Sequence, residues 1–264
     1  MQNVDDHTTE ANAPNTTVEA RGLTLEARSS KLAAAGPLLI SFSGLDGAGK
    51  STQIANLQEL LQKRGLHTKL LAFWDDVVVL SRYREGFVHK VYGSERGIGA
   101  PGQPVNRQDK NVRKWYLTLV RHGLYLLDAL HLGMVIAAAR RESGADVIIM
   151  DRYIYDELAN LPLTKTATCL FVRSISAWVP KPDVAYLLDA DPEEACQRKP
   201  EYPLSFMYSC RRAYHRLARM LGNMTVIPPL PLADAMTEVE AAIAPVLARD
   251  RAVIETGLDP AEAA

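Results

Sequence analysis

Apolar and polar stretches alternate along the chain in a way that predicts strands and helices in turn. Five short apolar runs have no polar face, which is typical of strands buried on both sides in a parallel sheet. The predicted strands are Pro37–Phe42, Thr68–Phe73, Ala145–Met150, Val184–Leu188 and Met224–Ile227. Helical periodicity separates these runs, so the pattern predicts an α/β domain with a doubly wound five-stranded parallel sheet and helices on both faces.

Three of the intervening stretches have a clear helical pattern. The first, which places Ile54 and Leu57 on one face, ends at Gly65, since glycine commonly follows the last turn of a helix. The second spans Trp115–Arg141 and the third spans Phe206–Leu221.

The two ends of the chain differ from the middle. Residues 1–36 are rich in Thr, Asn, Ala and Glu, with few large apolar side chains. This composition predicts a disordered leader, and it contains neither the apolar segment of a secretory signal nor the acid-poor pattern of a transit peptide. Residues 250–264 have the composition of a flexible tail. We therefore expect one folded domain over residues 37–249, because 264 residues that are 47% hydrophobic can bury one full core.

Charge and cysteine usage exclude several classes of partner. The net charge of −1 provides no overall positive field for nucleic acid or an anionic membrane. The three cysteines lack the spacing of metal ligands, as do the six histidines, and the sequence fits a reducing cytoplasm. The most apolar stretch, Leu124–Ala139, is interrupted by Asp128 and His131, so we expect no membrane span.

The loop after the first predicted strand has the spacing G-x-x-x-x-G-K-[ST], which begins at Gly44. In such a loop the glycines let backbone N–H groups surround a polyphosphate, Lys50 reaches the terminal phosphates, and the Ser51 hydroxyl binds Mg²⁺. The predicted phosphate-binding residues are Gly44, Gly47, Ala48, Gly49, Lys50, Ser51 and Thr52. The sequence therefore predicts that the chain binds a nucleoside triphosphate.

Charged side chains follow the other strands, at the sheet edge where ligands bind in doubly wound folds. Asp151 follows strand three, where a carboxylate can hold Mg²⁺, and the neighbouring Arg152 can clamp a second phosphate. The alternative is that the pair only caps the next helix. Asp46, inside the phosphate loop, is placed to meet the acceptor or its sugar hydroxyl, or else only to stabilise the turn.

Aromatic residues near these strand ends are candidates for stacking on an acceptor. Trp74, which precedes Asp75, and Tyr153, which follows Arg152, have this position. We expect Trp178 to belong to the core instead, as large aromatic residues usually do.

Two basic segments are candidates for further phosphate contacts. Residues 197–206 are predicted to form a short lid, from which Arg198, with Arg211 or Arg212, would meet the transferred phosphoryl group. The alternative is a solvated helix face. In the segment 82–107, basic and aromatic residues could clamp a phosphate and stack a base, or could form an exposed loop.

Four motifs together resemble the thymidylate kinase family. They are the phosphate loop Phe42–Thr52 with its embedded acid, the run 151–153, the segment Pro182–Glu193, and the lid-to-helix run with Arg198, Glu201, Phe206, Arg212 and Tyr214. The match covers residues 37–248. The resemblance implies the P-loop kinase fold, ATP and Mg²⁺, a nucleoside monophosphate acceptor and, often, a homodimer built on the long helices. It also implies that Asp46 meets the acceptor, Arg152 holds the acceptor phosphate and Lys50 holds the donor phosphates.

The acceptor side departs from the family pattern. The family has Thr-Arg-Glu-Pro-Gly-Gly after strand two, and its arginine holds the acceptor phosphate, whereas this chain has Phe73-Trp74-Asp75-Asp76. Carboxylates at this place would repel a monophosphate, and Arg82 or Arg84 could supply the missing contact. The family's arginine in the long helix has no equivalent near Leu130.

Three functions stay open at this point. The first is ATP-dependent phosphoryl transfer to a nucleoside monophosphate, with thymidine monophosphate as the expected acceptor. The second is a kinase of an unphosphorylated deoxynucleoside or another hydroxyl acceptor, to which Asp75 and Asp76 could offer carboxylates. The third is an ATP-binding module without turnover.

Overall fold

The computed structural model describes residues 36–79, 115–142 and 144–256, and for residues 115–118 and 250–256 it describes only the backbone. In chain order the elements are β1 (Leu38–Gly44), α1 (Lys50–Lys63), β2 (Thr68–Ala72), a π-helical turn (Phe73–Val77), α2 (Trp115–Arg141), β3 (Val147–Asp151), α3 (Ile154–Leu158), α4 (Thr166–Trp178), β4 (Val184–Leu188), α5 (Pro192–Arg198), α6 (Leu204–Leu221), β5 (Thr225–Ile227) and α7 (Leu232–Thr256). The leader predicted for residues 1–36 lies outside this part except for Gly36, and so do residues 257–264 of the predicted tail. The helix α7 continues through residues 250–256.

The five strands form one parallel sheet in the order β2-β3-β1-β4-β5. The central strand β1 pairs with β3 on one side, where Ile40 is opposite Ile149, and with β4 on the other, where Ile40 is opposite Val184. The predicted doubly wound sheet is confirmed. β1 extends to Gly44, beyond its predicted end at Phe42, because its ladder with β4 continues to Leu188.

Helices cover both faces of the sheet, as predicted. On one face α1 and α7 pack against alternate strand residues such as Ile40, Ile149 and Tyr186. On the other face, α2, α3, α4 and α6 pack against Leu39, Ile148 and the remaining alternate positions. Both faces of the central strands are buried, so the phosphate loop follows directly from the central strand of the buried sheet.

The long helix α2 has one buried face and one exposed apolar face. The carboxylate of Asp128, fully buried, accepts a hydrogen bond from the N–H of Val79 at 2.8 Å, and His131 contacts the carbonyl of Val77 at 2.6 Å. By length and composition alone, Leu119–Arg141 is apolar enough to cross a membrane, which is weak evidence because core helices of soluble proteins meet the same criterion. The buried Asp128 instead fixes this helix against the segment that follows β2.

Candidate active site

The phosphate loop is shaped by glycines that no other residue could replace without strain. Gly47 and Gly49 have left-handed backbones, with φ of 82° and 84°. A Cβ atom on Gly47 would lie 2.6 Å from the carbonyl oxygen of Ala195, and one on Gly44 would lie 2.3 Å from that of Leu188. The loop therefore packs directly on the backbone of β4 and α5, and its shape depends on the absence of side chains there.

Lys50, the first residue of α1, is buried and lies across this loop. Its ammonium donates hydrogen bonds to the carbonyls of Gly44 at 3.0 Å and Leu45 at 2.8 Å. Burial, assisted by the nearby positive charge of Arg152, lowers the pKa of Lys50 to about 8. The negative charges of the protein therefore do not fully stabilise the Lys50 ammonium, and a bound anion would stabilise it further.

Arg152 links the phosphate loop to α3. One terminal nitrogen, Nη1, donates to Asp156 Oδ1 at 3.0 Å, and the other, Nη2, donates to Asp46 in the loop. Burial alone would lower the pKa of Arg152, but the charges of Asp156 and Asp46 outweigh burial and raise it, so the guanidinium is firmly charged. Asp46 and Arg152, each of which was predicted to contact the acceptor, form an ion pair with one another.

The backbone of Arg152 has a φ of 69°, and it is the one described non-glycine residue with a positive φ. Its N–H donates to the carbonyl of Phe42 at 2.9 Å, which ties the residue to the end of β1. A left-handed backbone at such a residue costs on the order of 1 kcal/mol and is frequent at functional sites. This conformation fits a functional side chain that is aimed at the phosphate loop.

Asp46 stays ionised although it is partly buried. Desolvation opposes its charge, but Arg152, Lys50 and Lys199 together lower its pKa below the usual value. A carboxylate in the loop is therefore compatible with phosphate binding, because three cations surround it.

Asp156, which is 2% exposed, belongs to this site although the sequence pattern did not indicate it. Besides Arg152, it accepts hydrogen bonds from the hydroxyls of Ser43 at 2.6 Å and Tyr214 at 2.7 Å and from the N–H of Tyr153 at 3.2 Å. The one available signal was its spacing, four residues after Arg152 at the start of a helix.

Asp151, at the end of β3, and Ser51, in the first turn of α1, were predicted to hold Mg²⁺. The atom Oδ1 of Asp151 is buried, and no described residue donates a hydrogen bond to it. Ser51 is exposed. A buried carboxylate oxygen beside a phosphate loop has the chemistry of a magnesium ligand or of a group that holds a magnesium-bound water.

The predicted stacking of Tyr153 on an acceptor is corrected by the structure. Its ring is fully buried beside Tyr155, with the ring centres 5.0 Å apart, and its hydroxyl donates to the carbonyl of Pro180. Trp178, which was expected in the core, is 57% exposed at the end of α4.

The segment after β2 is a π-helical turn that presents Trp74 and Asp75 to solvent. Trp74 is 42% exposed, and its ring meets that of Phe73 at an angle of 79°, with the ring centres 5.6 Å apart. The Asp76 carboxylate accepts a hydrogen bond from the Ala72 N–H at 2.7 Å. Asp76 therefore caps this turn, while Trp74 and Asp75 remain candidates for contact with an acceptor.

The basic residues of the predicted lid and of the helix that follows it are in different environments. Arg198 is exposed and donates to the carbonyl of Glu194 on its own helix at 3.3 Å. Arg211 instead makes a bidentate ion pair with Asp189, in which Nε donates to Oδ1 at 2.8 Å and Nη2 donates to Oδ2 at 2.7 Å. This pair links α6 to the end of β4. Arg212 donates to the Ser209 hydroxyl of the same helix. The role of Arg198 stays a prediction, and Arg82 and Arg84 lie outside the described residues.

Comparisons with known proteins agree with the resemblance seen in the sequence. No protein-family profile matches the chain. A probable thymidylate kinase of Methanosphaera stadtmanae is 24% identical over 205 residues, which cover 76% of this chain and 94% of that protein. A probable thymidylate kinase of Sulfurisphaera tokodaii is 27% identical over 77% of this chain and 90% of its own length. The thymidylate kinase of Bifidobacterium longum subsp. infantis is 28% identical over 70% and 76%.

A solved structure supports the fold. The crystal structure of thymidylate kinase from Ehrlichia chaffeensis superposes with a TM-score of 0.50 and 18% identity, and the match covers 79% of this chain and 99% of that one. The chain is therefore a kinase with the P-loop kinase fold, and its sequence is similar to those of thymidylate kinases over about three quarters of its length.

Proposed function

We propose that this protein transfers the γ-phosphoryl group of ATP to thymidine monophosphate and so forms ADP and thymidine diphosphate. The observation that supports this proposal most strongly is the ion-pair chain in which Asp46 of the phosphate loop and Asp156 of α3 both hold Arg152. It joins the donor loop to the strand end where an acceptor would bind.

The reaction is an in-line displacement. A phosphate oxygen of thymidine monophosphate attacks the γ-phosphorus, and the bond from that phosphorus to the oxygen bridging to the β-phosphate breaks, so that ADP leaves. Positioning and charge neutralisation supply most of the catalysis in such transfers. Lys50 would neutralise the donor phosphates, and Arg152, charged and fixed, would hold the phosphate of the acceptor.

The residues present also fit Mg²⁺. Ser51 and Asp151 would hold the ion, directly or through water, since the buried Oδ1 of Asp151 has no described hydrogen-bond donor. When bound, the ion would neutralise charge on the donor phosphates. Asp46, which keeps its charge beside Arg152, would accept a hydrogen bond from a sugar hydroxyl of the acceptor.

One assay separates this proposal from its alternatives. The protein is incubated with ATP and Mg²⁺ together with thymidine monophosphate, other nucleoside monophosphates, thymidine and further deoxynucleosides, and ADP release is followed for each. Release that depends on thymidine monophosphate supports the proposal. Stronger stimulation by unphosphorylated acceptors would replace it with a hydroxyl kinase, and release that no acceptor changes would favour a binding module.

We also propose that two copies associate through the exposed face of α2. This face, which we call the α2 stripe, consists of exposed apolar residues that recur at helical spacing. They are Leu119, Val120, Leu126, Leu127, Leu130 and Met134. Trp178 and Leu170 of α4 are exposed apolar residues too. An exposed apolar surface of this extent is typical of an interface. The resulting dimer would act in the cytoplasm on nucleotides.

Size-exclusion chromatography with light scattering tests the dimer. Wild type should elute with twice the mass of one chain. Leu130→Glu, which places a charge in the centre of the stripe, should elute as a monomer. The matched control Glu238→Gln changes a residue of α7, on the opposite face of the sheet, and should remain dimeric. A monomeric wild type, or a dimeric Leu130→Glu, would contradict this assignment.

A further inference from the structure

The two carboxylate oxygens of Asp156 accept hydrogen bonds from different donors. Oδ1 accepts from the Arg152 guanidinium and the Tyr214 hydroxyl, whereas Oδ2 accepts from the Ser43 hydroxyl and the Tyr153 N–H. Three of these four donors are neutral, and Arg152 is the cation. A buried carboxylate is costly unless it is paired and fully hydrogen-bonded, and this set of partners meets both conditions.

The two carboxylates that hold Arg152 differ in accessibility. The side chain of Asp46 is 30% exposed and lies on the loop, whereas that of Asp156 is 2% exposed and held from β1 and α6. Asp46 can therefore release Arg152 when an acceptor arrives, but Asp156 has no freedom to do so. One nitrogen of the guanidinium would stay anchored while the other becomes available to a phosphate.

We propose that Asp156 is a positioning residue that holds Nη1 of Arg152 so that Nη2 faces the acceptor phosphate beside Asp46. This inference rests on the proposed function, because it needs Arg152 to contact the acceptor. Because the guanidinium is planar, fixing Nη1 restricts the positions that Nη2 can reach. Misplacing such a group by about 1 Å can cost on the order of 100-fold in rate.

A purely structural role for Asp156 makes a different prediction. In that case its importance would be to join β1 to α6 through Ser43 and Tyr214, and loss of either hydroxyl should resemble loss of the carboxylate charge. The matched controls are therefore Ser43→Ala and Tyr214→Phe, each of which removes one hydrogen bond to Asp156 and leaves the contact with Arg152.

The experiment measures kcat with saturating thymidine monophosphate, the Kd of ATP and the thermal midpoint of each variant. For Asp156→Asn we expect kcat to fall by about 100-fold, with the Kd of ATP changed by less than about threefold. For the two controls we expect a lower thermal midpoint but a kcat within about threefold of wild type. An Asp156→Asn variant with near wild-type kcat, or controls that lose as much kcat, would overturn the proposal.

A double-mutant comparison separates this inference from the proposed function. Arg152→Ala should reduce kcat strongly, and adding Asp156→Asn to it should cost little more, because the residue to be positioned is gone. Multiplicative losses in the double variant would overturn the role of Asp156 while leaving that of Arg152. A wild-type kcat in Arg152→Ala would show that Arg152 does not contact the acceptor, and it would contradict both the role of Arg152 and that of Asp156.

Arg152→Lys provides a second test if Asp156→Asn does not fold. Lysine keeps the positive charge but lacks the planar guanidinium, whose two terminal nitrogens reach Asp46 and Asp156 at once. We expect this variant to lose most of its turnover while it still binds ATP. Wild-type turnover in Arg152→Lys would show that turnover does not require an oriented guanidinium, and it would overturn the proposal.

Discussion

The lowered pKa of Lys50 predicts that binding of ATP takes up protons at mildly alkaline pH. Lys50 is 7% exposed, and burial with the nearby charge of Arg152 lowers its pKa from 10.5 to about 8. This shift corresponds to about 3 kcal/mol against the charged form. The phosphates of bound ATP would supply the missing negative charge and return the pKa towards its ordinary value.

The size of the effect follows from this pKa. In the free protein, roughly half of the molecules carry a neutral Lys50 at pH 8, about 10% at pH 7 and about 90% at pH 9. Each neutral amine must bind a proton when ATP arrives, so uptake should be about 0.1, 0.5 and 0.9 protons at pH 7, 8 and 9. The Kd of ATP should rise by about tenfold between pH 7 and pH 9 for the same reason. The terminal phosphate titrates near pH 6 and contributes little in this range.

Isothermal titration calorimetry in two buffers of different ionisation enthalpy measures the uptake directly. Lys50→Arg is the matched control, because a guanidinium keeps its charge over the whole range, and it should take up almost no protons at pH 9. Uptake near zero in wild type at pH 8 and pH 9, or equal uptake in Lys50→Arg, would refute the assignment of Lys50 to the donor phosphates.

Two further predictions concern the loop and the core. Gly47→Ala should weaken ATP binding at least tenfold, because its Cβ would lie 2.6 Å from the Ala195 carbonyl oxygen. Gly49→Ala, where φ is also positive but no atom lies within 4 Å of the new Cβ, should weaken ATP binding less. Equal Kd values in the two variants would contradict this explanation of the loop. Burial raises the pKa of Tyr186, whose hydroxyl donates to the Val239 carbonyl. Because the folded state holds that proton more tightly than the unfolded chain, its contribution to stability is complete below about pH 10 and is lost as pH rises further. The urea midpoint of wild type should therefore fall between pH 9 and pH 11, and that of Tyr186→Phe should fall less; parallel decreases would refute this.

The sequence predicts the sheet because each strand has a local signal. β4 coincides with its predicted bounds, Val184–Leu188, since a short continuous apolar run predicts a strand that is buried on both faces. The phosphate loop is equally local, because its glycines and Lys50 are contiguous in sequence.

The rest of the site depends on contacts between distant positions. Asp156 meets Ser43, which is 113 residues away, and Tyr214, which is 58 residues away, and neither spacing has a sequence signature. Tyr153 was misplaced because its neighbour Arg152 has a left-handed backbone, an irregularity that periodicity does not predict. The exposure of Trp178 depends on what surrounds the end of α4, which local sequence does not encode.

Transfer to the acceptor can be observed most directly by phosphorus NMR of a mixture of the protein, ATP, Mg²⁺ and thymidine monophosphate. We expect the paired α- and β-phosphorus signals of thymidine diphosphate to grow together with those of ADP, and to be absent with Lys50→Ala. Appearance of ADP with free inorganic phosphate at the same rate with and without thymidine monophosphate, or no turnover at all, would contradict it.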